Sequence, residues 1–466
     1  MRKTFYLIIA MLVVLAGCKE SAPEPVETSF SVNAEQINTS LRVTVNPSAA
    51  EQTYVFGIFE IEDASAIENL INEYAVKAIS ENRVVSGISD TTFSDLKVKS
   101  QYCIWVAQVD NGAVTFTPTH IIRKIDVAKD YYSFVSNEWV APIAISDNGL
   151  WVVGTASEAS YIFDVINEKY TFIEGVALYD ITDDGVAFGM DLTLHSALIY
   201  RNDTPEYPDA DSKFNESCFF SVTPDGTQAV GYVMDEESVF KAVLYKNGKF
   251  EILPSFNGPE SDMGAKEAVY MIAKGISADG IIAGYFVDEN YSVEMSCVWN
   301  SPVVGNASFA NSLMTWNNEW MYYNITIGRY NTYISSNGNY IASNVIDYGP
   351  DGWGETYYSY IYDVRNDKIT IFNDSSLAGF RVDGVSNNGD VFYSDAILGF
   401  SSVPYIVPNG ESKVMTLQEY LSKTYSYDFT DRKMEGSFIS VTEDCKGFVV
   451  GNYQDDGFAT SIYYVK

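Results

Sequence analysis

Ile145-Ser146-Asp147-Asn148-Gly149 recurs along this chain with small changes. The copies are Ile181-Thr182-Asp183-Asp184-Gly185, Val222-Thr223-Pro224-Asp225-Gly226, Ile276-Ser277-Ala278-Asp279-Gly280, Ile334-Ser335-Ser336-Asn337-Gly338 and Val385-Ser386-Asn387-Asn388-Gly389. Val441-Thr442-Glu443-Asp444-Cys445-Lys446-Gly447 is a seventh, looser copy, one residue longer. A step of roughly 50 residues is that of a repeat architecture built from blade-sized units. The repeat identifies a scaffold and names no ligand.

Each copy ends in Asn-Gly, Asp-Gly or a close variant. Asn and Asp tolerate positive φ and Gly adopts it freely, so the pair predicts a two-residue hairpin turn. Strand-like runs flank it, such as Cys218–Val222 before and Leu150–Gly154 or Ile281–Tyr285 after. A third strand recurs at Tyr161–Phe163, Ala197–Tyr200, Ala242–Tyr245, Cys297–Trp299, Tyr360–Tyr362, Pro404–Val407 and Ser461–Tyr464. A fourth follows at Tyr170–Ile173, Phe250–Leu253 and Lys368–Phe372. Four antiparallel strands per unit make a propeller blade. The reading is all-β: a seven-bladed β-propeller over residues 127–466. The units starting near 181, 276 and 385 have poorly defined fourth strands. Insertions interrupt the pattern at 308–323 and at 414–425, where Leu417–Leu421 is helix-like.

The last unit stops at Lys466 without a fourth strand, and residues 131–135 before the first unit have strand character and no partner. Pairing of the two closes the ring and removes the open edges of a stack of sheets.

These residues resemble the extracellular HAF-type repeat of bacterial surface proteins over about residues 141–466, with longer and less regular spacing. The resemblance implies a propeller-like extracellular module and brings no catalytic residues. The sialidase Asp box is similar but ends in Thr-Trp, which no unit here carries.

Residues 1–17 read as a signal peptide, with Arg2 and Lys3 before an apolar stretch from Phe5 to Leu15 that is too short to span a bilayer. Leu15-Ala16-Gly17-Cys18 resembles the bacterial lipobox, which implies cleavage before Cys18 and lipidation of its thiol. Lys19, Glu20, Glu24 and Glu27 partly resemble the acidic export tag of surface-displayed lipoproteins. The expectation is a lipid-anchored outer-membrane protein, surface-exposed, held to the membrane only by that anchor. Residues 18–27, with Pro23 and Pro25, form an extended linker. Removal of residues 1–17 leaves 27 Lys and Arg against 62 Asp and Glu, a balance of −35. Such a surface repels nucleic acid and anionic lipid. The remaining cysteines, Cys103, Cys218, Cys297 and Cys445, fall in different units and read as buried unpaired thiols.

Residues 28–126 read as a separate β-sandwich with a helical insertion. Leu41–Val45 and Tyr54–Phe59 alternate like strands, and Ala64–Asn82 carries Ile67, Leu70, Ile71, Tyr74, Ala75 and Ala78 at helical spacing. Leu96 and Tyr102, six apart before an alternating strand, resemble the Leu-x-Pro-x-x-x-Tyr pattern of fibronectin type III domains, with Val98 in place of Pro. The resemblance implies an Ig-like spacer in which Tyr102 makes a corner hydrogen bond.

Catalytic signatures are absent from the sequence. The two histidines, His120 and His195, fall in different domains and read as ordinary strand or surface residues. No zinc spacing, nucleophile elbow, phosphate loop or dinucleotide fingerprint is present. One loop stands out: Asp347 to Glu355, followed by Thr356, Tyr357 and Tyr358. It is rich in Gly, aromatics and acids, and Asp347, Asp351 and Glu355 offer oxygen ligands for Ca²⁺ at a spacing unlike an EF-hand. No other cofactor is expected. Trp316 and Trp320 in the neighbouring insertion, with Trp353 and Tyr357, are candidates for stacking on a sugar or gripping a protein. Three functions follow. The first is a non-catalytic propeller that binds a glycan or a surface protein. The second is a polysaccharide-acting glycosidase or lyase, which needs a pair of carboxylates among the 62 acids. The third is a docking subunit of an outer-membrane complex.

Overall fold

The computed structural model describes residues 27, 29–37, 39–61, 66–94, 96–98, 100–126, 131–136, 140–157, 159–208, 214–254, 268–288, 294–300, 325–327, 332–347, 356–372, 380–395, 403–426, 434–454 and 457–465. Residues 1–26, with Cys18, lie outside them, as do Trp316, Trp320, Asp351, Trp353 and Glu355. Two compact units are present, Met1–Ala128 and Lys129–Lys466.

In the larger unit every Gly-ended phrase joins the first and second strands of an antiparallel sheet. The first sheet runs Val140–Ile145, Trp151–Ala156, Ala159–Asp164, Lys169–Glu174. The next two repeat this order: Val176–Ile181, Ala187–Asp191, Ser196–Arg201, Thr204–Glu206, then Glu216–Val222, Gln228–Met234, Phe240–Lys246, Lys249–Ile252. Ala268–Ile276, Ile282–Asp288 and Glu294–Trp299 form a sheet of three strands among the described residues. In the following sheet Ile325–Ile327 and Tyr333–Ile334 both pair with Tyr340–Asp347, and Thr356–Asp363 and Lys368–Phe372 continue it. Phe380–Val385, Val391–Asp395, Tyr405–Val407 and Met415–Thr416 come next. Ser437–Val441, Gly447–Gln454 and Gly457–Tyr464 complete the series, with Tyr131–Ser136 as their fourth strand. Short fourth strands therefore exist at 204–206 and 415–416, where the sequence left them undefined.

First strands touch in sequence from sheet to sheet, and Ser437–Val441 returns to Val140–Ile145. A closed cycle of innermost strands is the geometry of a β-propeller. The core lies between sheets: Val153, Leu178, Ile181 and Leu198 fill one interface, and Val230, Ile276 and Trp299 another. Phe392 stacks on Phe438 at 4.0 Å between ring centroids in a third. Each such side chain gains about 1.5–3 kcal/mol by leaving water, but only while its neighbour sheet is in place.

The turns differ from the two-residue hairpin that the sequence predicts. Gly149 N–H donates to the Ser146 carbonyl at 2.8 Å, and Gly226 N–H to Thr223 at 2.8 Å, so each turn spans four residues. Only its last residue takes positive φ: 76° at Gly149, 83° at Gly185, 70° at Gly226. The Asn or Asp before it acts through its side chain instead. Asn148 Oδ1 accepts from Leu150 N–H at 3.0 Å, and Asp225 Oδ1 from Thr227 N–H at 3.0 Å. The Ser or Thr hydroxyl is buried and accepts from the chain after the turn, as Ser146 Oγ does from Trp151 N–H at 3.1 Å. In the last copy Cys445, φ 56°, takes the glycine's place and Gly447 begins the next strand. That turn is therefore no longer than the others.

A second regularity was invisible in the sequence. The first strand carries a β-bulge at Ile143, Tyr179, Phe220, Lys274, Asp383 and Ile439, always two residues before the phrase's β-branched residue. Gly154, Gly189, Gly231 and Gly284 oppose the residue just before the bulge. A Cβ there would lie 2.4, 1.9, 1.9 and 2.1 Å from a first-strand carbonyl oxygen. These glycines exist because two backbones approach too closely for any side chain.

The ring closes through Gly457–Tyr464 pairing with Tyr131–Ser136, from Phe458↔Ser136 to Tyr463↔Tyr131. Across the same junction Tyr161 and Thr460 hydroxyls lie 3.2 Å apart, and Tyr464 donates to the Gly149 carbonyl. Helix α2 (Leu417–Tyr425) follows a short fourth strand, starts with a Thr416–Glu419 capping box and buries Leu417, Tyr420 and Leu421.

The smaller unit has two antiparallel sheets. One pairs Phe30–Ile37, Ser40–Pro47 and Ser89–Phe93; the other pairs Val85–Ser86, Thr53–Glu60, Gln101–Asp110 and Thr119–Lys124. Phe30–Tyr54 and Phe56–Phe93 ring contacts, at 5.3 and 6.4 Å, join them. Helix α1 (Ile67–Ser80) buries Ile67, Ile71, Ala75 and Ala78 against the second. The Tyr102 hydroxyl accepts from Lys97 N–H at 2.9 Å. Cys103, Cys218, Cys297 and Cys445 are buried free thiols. No helix of the described residues is long and apolar enough to cross a membrane.

Two outcomes are expected. Deleting residues 460–466 removes buried Thr460, Ile462, Tyr463 and Tyr464 from the closing strand. Stability should fall by roughly 5 kcal/mol or more, read by thermal melting. Gly231→Ala should cost roughly 2–4 kcal/mol through its carbonyl clash. Gly248→Ala, at φ 75° with no atom within 4 Å of the new Cβ, should cost only about 1 kcal/mol in urea denaturation.

Candidate functional site in the axial cavity

A bulge turns its extra side chain out of the alternation of the strand. Here that side chain faces the axis. Ile143, Tyr179, Phe220, Lys274, Asp383 and Ile439 all line a cavity of about 520 Å³ inside the ring. The next residue of each strand joins them, among these Asp180, Ser221 and Ser440, and Thr332 and Tyr333 hold the two places in the fifth sheet. The bulge thus delivers one variable residue from each of six sheets to a shared cavity, while the turn phrase beside it stays nearly constant.

The turn residues Asp147, Pro224, Ala278, Ser336, Asn387 and Thr442 line one end of this cavity. They are tied to one another around the axis. Glu443 N–H donates to the Asp147 carbonyl at 3.1 Å, Asp183 N–H to Pro224 at 3.0 Å and Ala278 N–H to Ser336 at 2.8 Å. Asn387 Nδ2 donates to the Glu443 carbonyl at 2.9 Å, and Asn337 N–H to Asn387 Oδ1 at 2.8 Å. One bond spans the ring rather than joining neighbours: Ser336 Oγ donates to Asp147 Oδ1 at 2.6 Å.

Charged groups in the cavity are held away from their ordinary ionisation. Burial raises the Asp147 carboxyl to about 7, against the Ser336 hydroxyl that favours its anion; Asp183, Asp180 and Glu443 push it further up. Its Oδ2 is buried without a hydrogen-bond partner. Burial raises Asp180 to about 6, although Val222 and Ile181 N–H groups both donate to it at 2.9 Å. Burial lowers Lys274 to about 8, and its ammonium sits 3.6 Å from the centroid of the Phe220 ring. Burial also raises Asp383, opposed by Arg381, whose Nε lies 3.0 Å from Oδ1.

None of these residues stood out in the sequence. For Lys274 and Asp383 the available signal was positional: two residues before the β-branched start of the phrase. The residues that did stand out lie elsewhere. Asp347 ends its strand, pairing by backbone with both Ile325 and Thr356, and Tyr357 pairs with Ile346; their side chains are outside the described residues. Ile325, Asp347 and Thr356 are strand ends on the side away from the Gly turns, whereas Trp299, the strand end before residues 301–324, pairs with Ile282 beside the Gly280 turn. Among the described residues no three His, Cys, Asp or Glu side chains converge as a metal site. His120 is exposed on Thr119–Lys124, and His195 is an exposed turn residue with Nδ1 3.7 Å from Glu216.

No protein-family model matches the chain, and no curated protein matches it. Among solved structures it is similar to TolB from Acinetobacter baumannii, with 12% identity over 76% of this chain and 85% of that one, TM-score 0.35. The propeller domain of the trilobed protease from Pyrococcus furiosus gives 10% identity over 86% and 98%, TM-score 0.38. The extracellular domain of a putative one-component system from B. thetaiotaomicron gives 12% over 72% and 40%, TM-score 0.38. Likenesses at this level carry no functional meaning, and the propeller assignment rests on this chain's own cycle of strand contacts.

Asp147 sets a pH dependence. Its carboxyl ionises near pH 4 when unfolded and near pH 7 when folded, so folding takes up a proton between these values. Stability therefore falls as pH rises through that window. Asp147→Asn keeps the acceptor for Ser336 and removes the buried charge. It should stabilise the protein by roughly 1–3 kcal/mol at pH 8 and by almost nothing at pH 4, measured by denaturant titration.

Proposed function

We propose that this chain is a lipid-anchored surface protein of the outer membrane, a ring of seven blades on a fibronectin type III-like stalk, that captures a glycan without catalysis. The carrying observation is the polarity of the ring. Turn-to-turn hydrogen bonds tie together the Gly-turn end of the cavity. Asp347 and Thr356, the strand ends flanking residues 348–355, lie at the opposite end with Ile325, whereas Trp299, before residues 301–324, pairs with Ile282 beside the Gly280 turn. The break in the repeat at residues 348–355 is thus bounded by strand ends on the face opposite the hydrogen-bonded turns. Loops on a rigid scaffold are where recognition is placed.

Several features support the arrangement. The two antiparallel sheets of the smaller unit, and the Tyr102 hydroxyl accepting from Lys97 N–H, are consistent with an Ig-like sandwich and its tyrosine corner. Leu15-Ala16-Gly17-Cys18 supplies the anchor at Cys18. Trp316, Trp320, Trp353 and Tyr357 would stack on sugar rings, and Asp347, Asp351 and Glu355 would steady the loop between them, with Ca²⁺ as their ligand. The acidic balance of the chain leaves nucleic acid an unfavourable partner.

A polysaccharide panel tests this reading. Capture of at least one glycan is expected with no product released, weakened at least tenfold in Trp316→Ala or Trp353→Ala. Released oligosaccharide would make the chain an enzyme. No capture, with a membrane protein co-purifying, would make it a docking subunit.

A further inference from the structure

Two groups on the cavity wall have unmet requirements. Lys274 is a half-buried ammonium on the cavity wall whose neighbour is the Phe220 ring, and among the described residues no carboxylate lies within ion-pair distance of it. Isolated buried cations are costly, and an anionic ligand would relieve that cost. Asp383 is only 6% exposed and lines the same cavity, yet its Oδ2 has no hydrogen-bond partner. Its charge is already balanced by Arg381 and the Ser394 hydroxyl lies nearby, so the acceptor capacity left on Oδ2 suits a neutral donor rather than a second cation. Between the sheets, the Tyr179 and Phe220 rings meet edge-on at 5.0 Å and give the wall an aromatic stretch beside Lys274. The volume, about 520 Å³, lies in the range of roughly 300–1,000 Å³ that small-ligand sites occupy.

One carboxylate, a neutral hydroxyl donor and an apolar ring face are combined in one kind of molecule. We propose that the axial cavity binds an acidic sugar unit, a hexuronate, with its carboxylate on Lys274, its hydroxyls on Asp383 and its ring against Tyr179 and Phe220. Asp180 does not compete for Lys274, because two backbone N–H groups already hold its carboxylate. Asp147 is engaged by Ser336 at the turn end. The proposal rests on the glycan reading above and specifies the sugar class. An α-amino acid also carries a carboxylate and donors, but its ammonium would meet the Arg381 charge beside Asp383.

Isothermal titration calorimetry on the purified full-length protein tests it, with D-glucuronate and D-galacturonate against D-glucose, D-galactose and L-alanine. A uronate should bind at least tenfold more tightly than its neutral parent and than L-alanine. Lys274→Gln should lose that preference, and Asp383→Asn should weaken uronate binding several-fold, with melting followed on both. Equal affinity for neutral and acidic sugars, preferential binding of L-alanine, no uronate binding, or a folded Lys274→Gln that keeps the preference would each overturn it. The selectivity of the unaltered protein decides the matter even where a variant does not fold. The two readings fail separately. Polysaccharide capture that depends on Trp316 and Trp353 with an unselective cavity removes the cavity proposal alone, whereas no glycan capture beside a selective cavity removes the face.

Discussion

No sheet of this ring has a core of its own, and the rest of the structure follows from that. Val153, Ile162, Leu178 and Leu198 are buried because two sheets press together, and the same holds at each later interface. An open series of such sheets would expose an apolar face and a row of unpaired backbone groups at each end. Backbone pairing between Gly457–Tyr464 and Tyr131–Ser136 removes both exposures at once. Stability is thereby shared around the ring.

Close packing around an axis also explains the repeated phrase. First strands converge there, and their turns must fit side by side. A buried Ser or Thr hydroxyl satisfies the backbone after the turn, an Asn or Asp side chain satisfies the turn itself, and Gly takes the left-handed corner. Cys445 fills that corner at φ 56°, so glycine is the cheapest occupant rather than an absolute requirement. The hydrogen bonds that then link turn to turn were not part of any single repeat. They exist only because the ring brings Asp147, Ser336, Asn387 and Glu443 to one place.

The cavity is the complement of this regularity. The bulge is structural, recurring at the same place in six first strands, four of them in near-contact with Gly154, Gly189, Gly231 or Gly284 of the second strand. Its consequence is chemical, because the bulged residue is released from packing and presented to the axis. Ile143 and Ile439 use the position for apolar surface, Tyr179 and Phe220 for aromatic surface, and Lys274 and Asp383 for charge. A constant backbone device therefore carries a variable set of side chains, which is how a repeat fold acquires an individual site.

The chain's periodic phrases determined by themselves where strands begin and end, because turn chemistry is local: Ser146, Asn148 and Gly149 satisfy one another within a few residues. The α1 stripe of Ile67, Ile71, Ala75 and Ala78 was legible for the same reason, as a period along one helix. The two-residue turn was misread because Asn148 and Asp225 tolerate positive φ, yet their side chains gain more by capping the turn than their backbones do by entering that region. Asp180, Lys274 and Asp383 looked like any other polar residues near the end of a strand. Their burial, altered ionisation and common cavity depend on sheets that are distant in sequence and adjacent only around the axis, and that adjacency is a property of the closed ring alone.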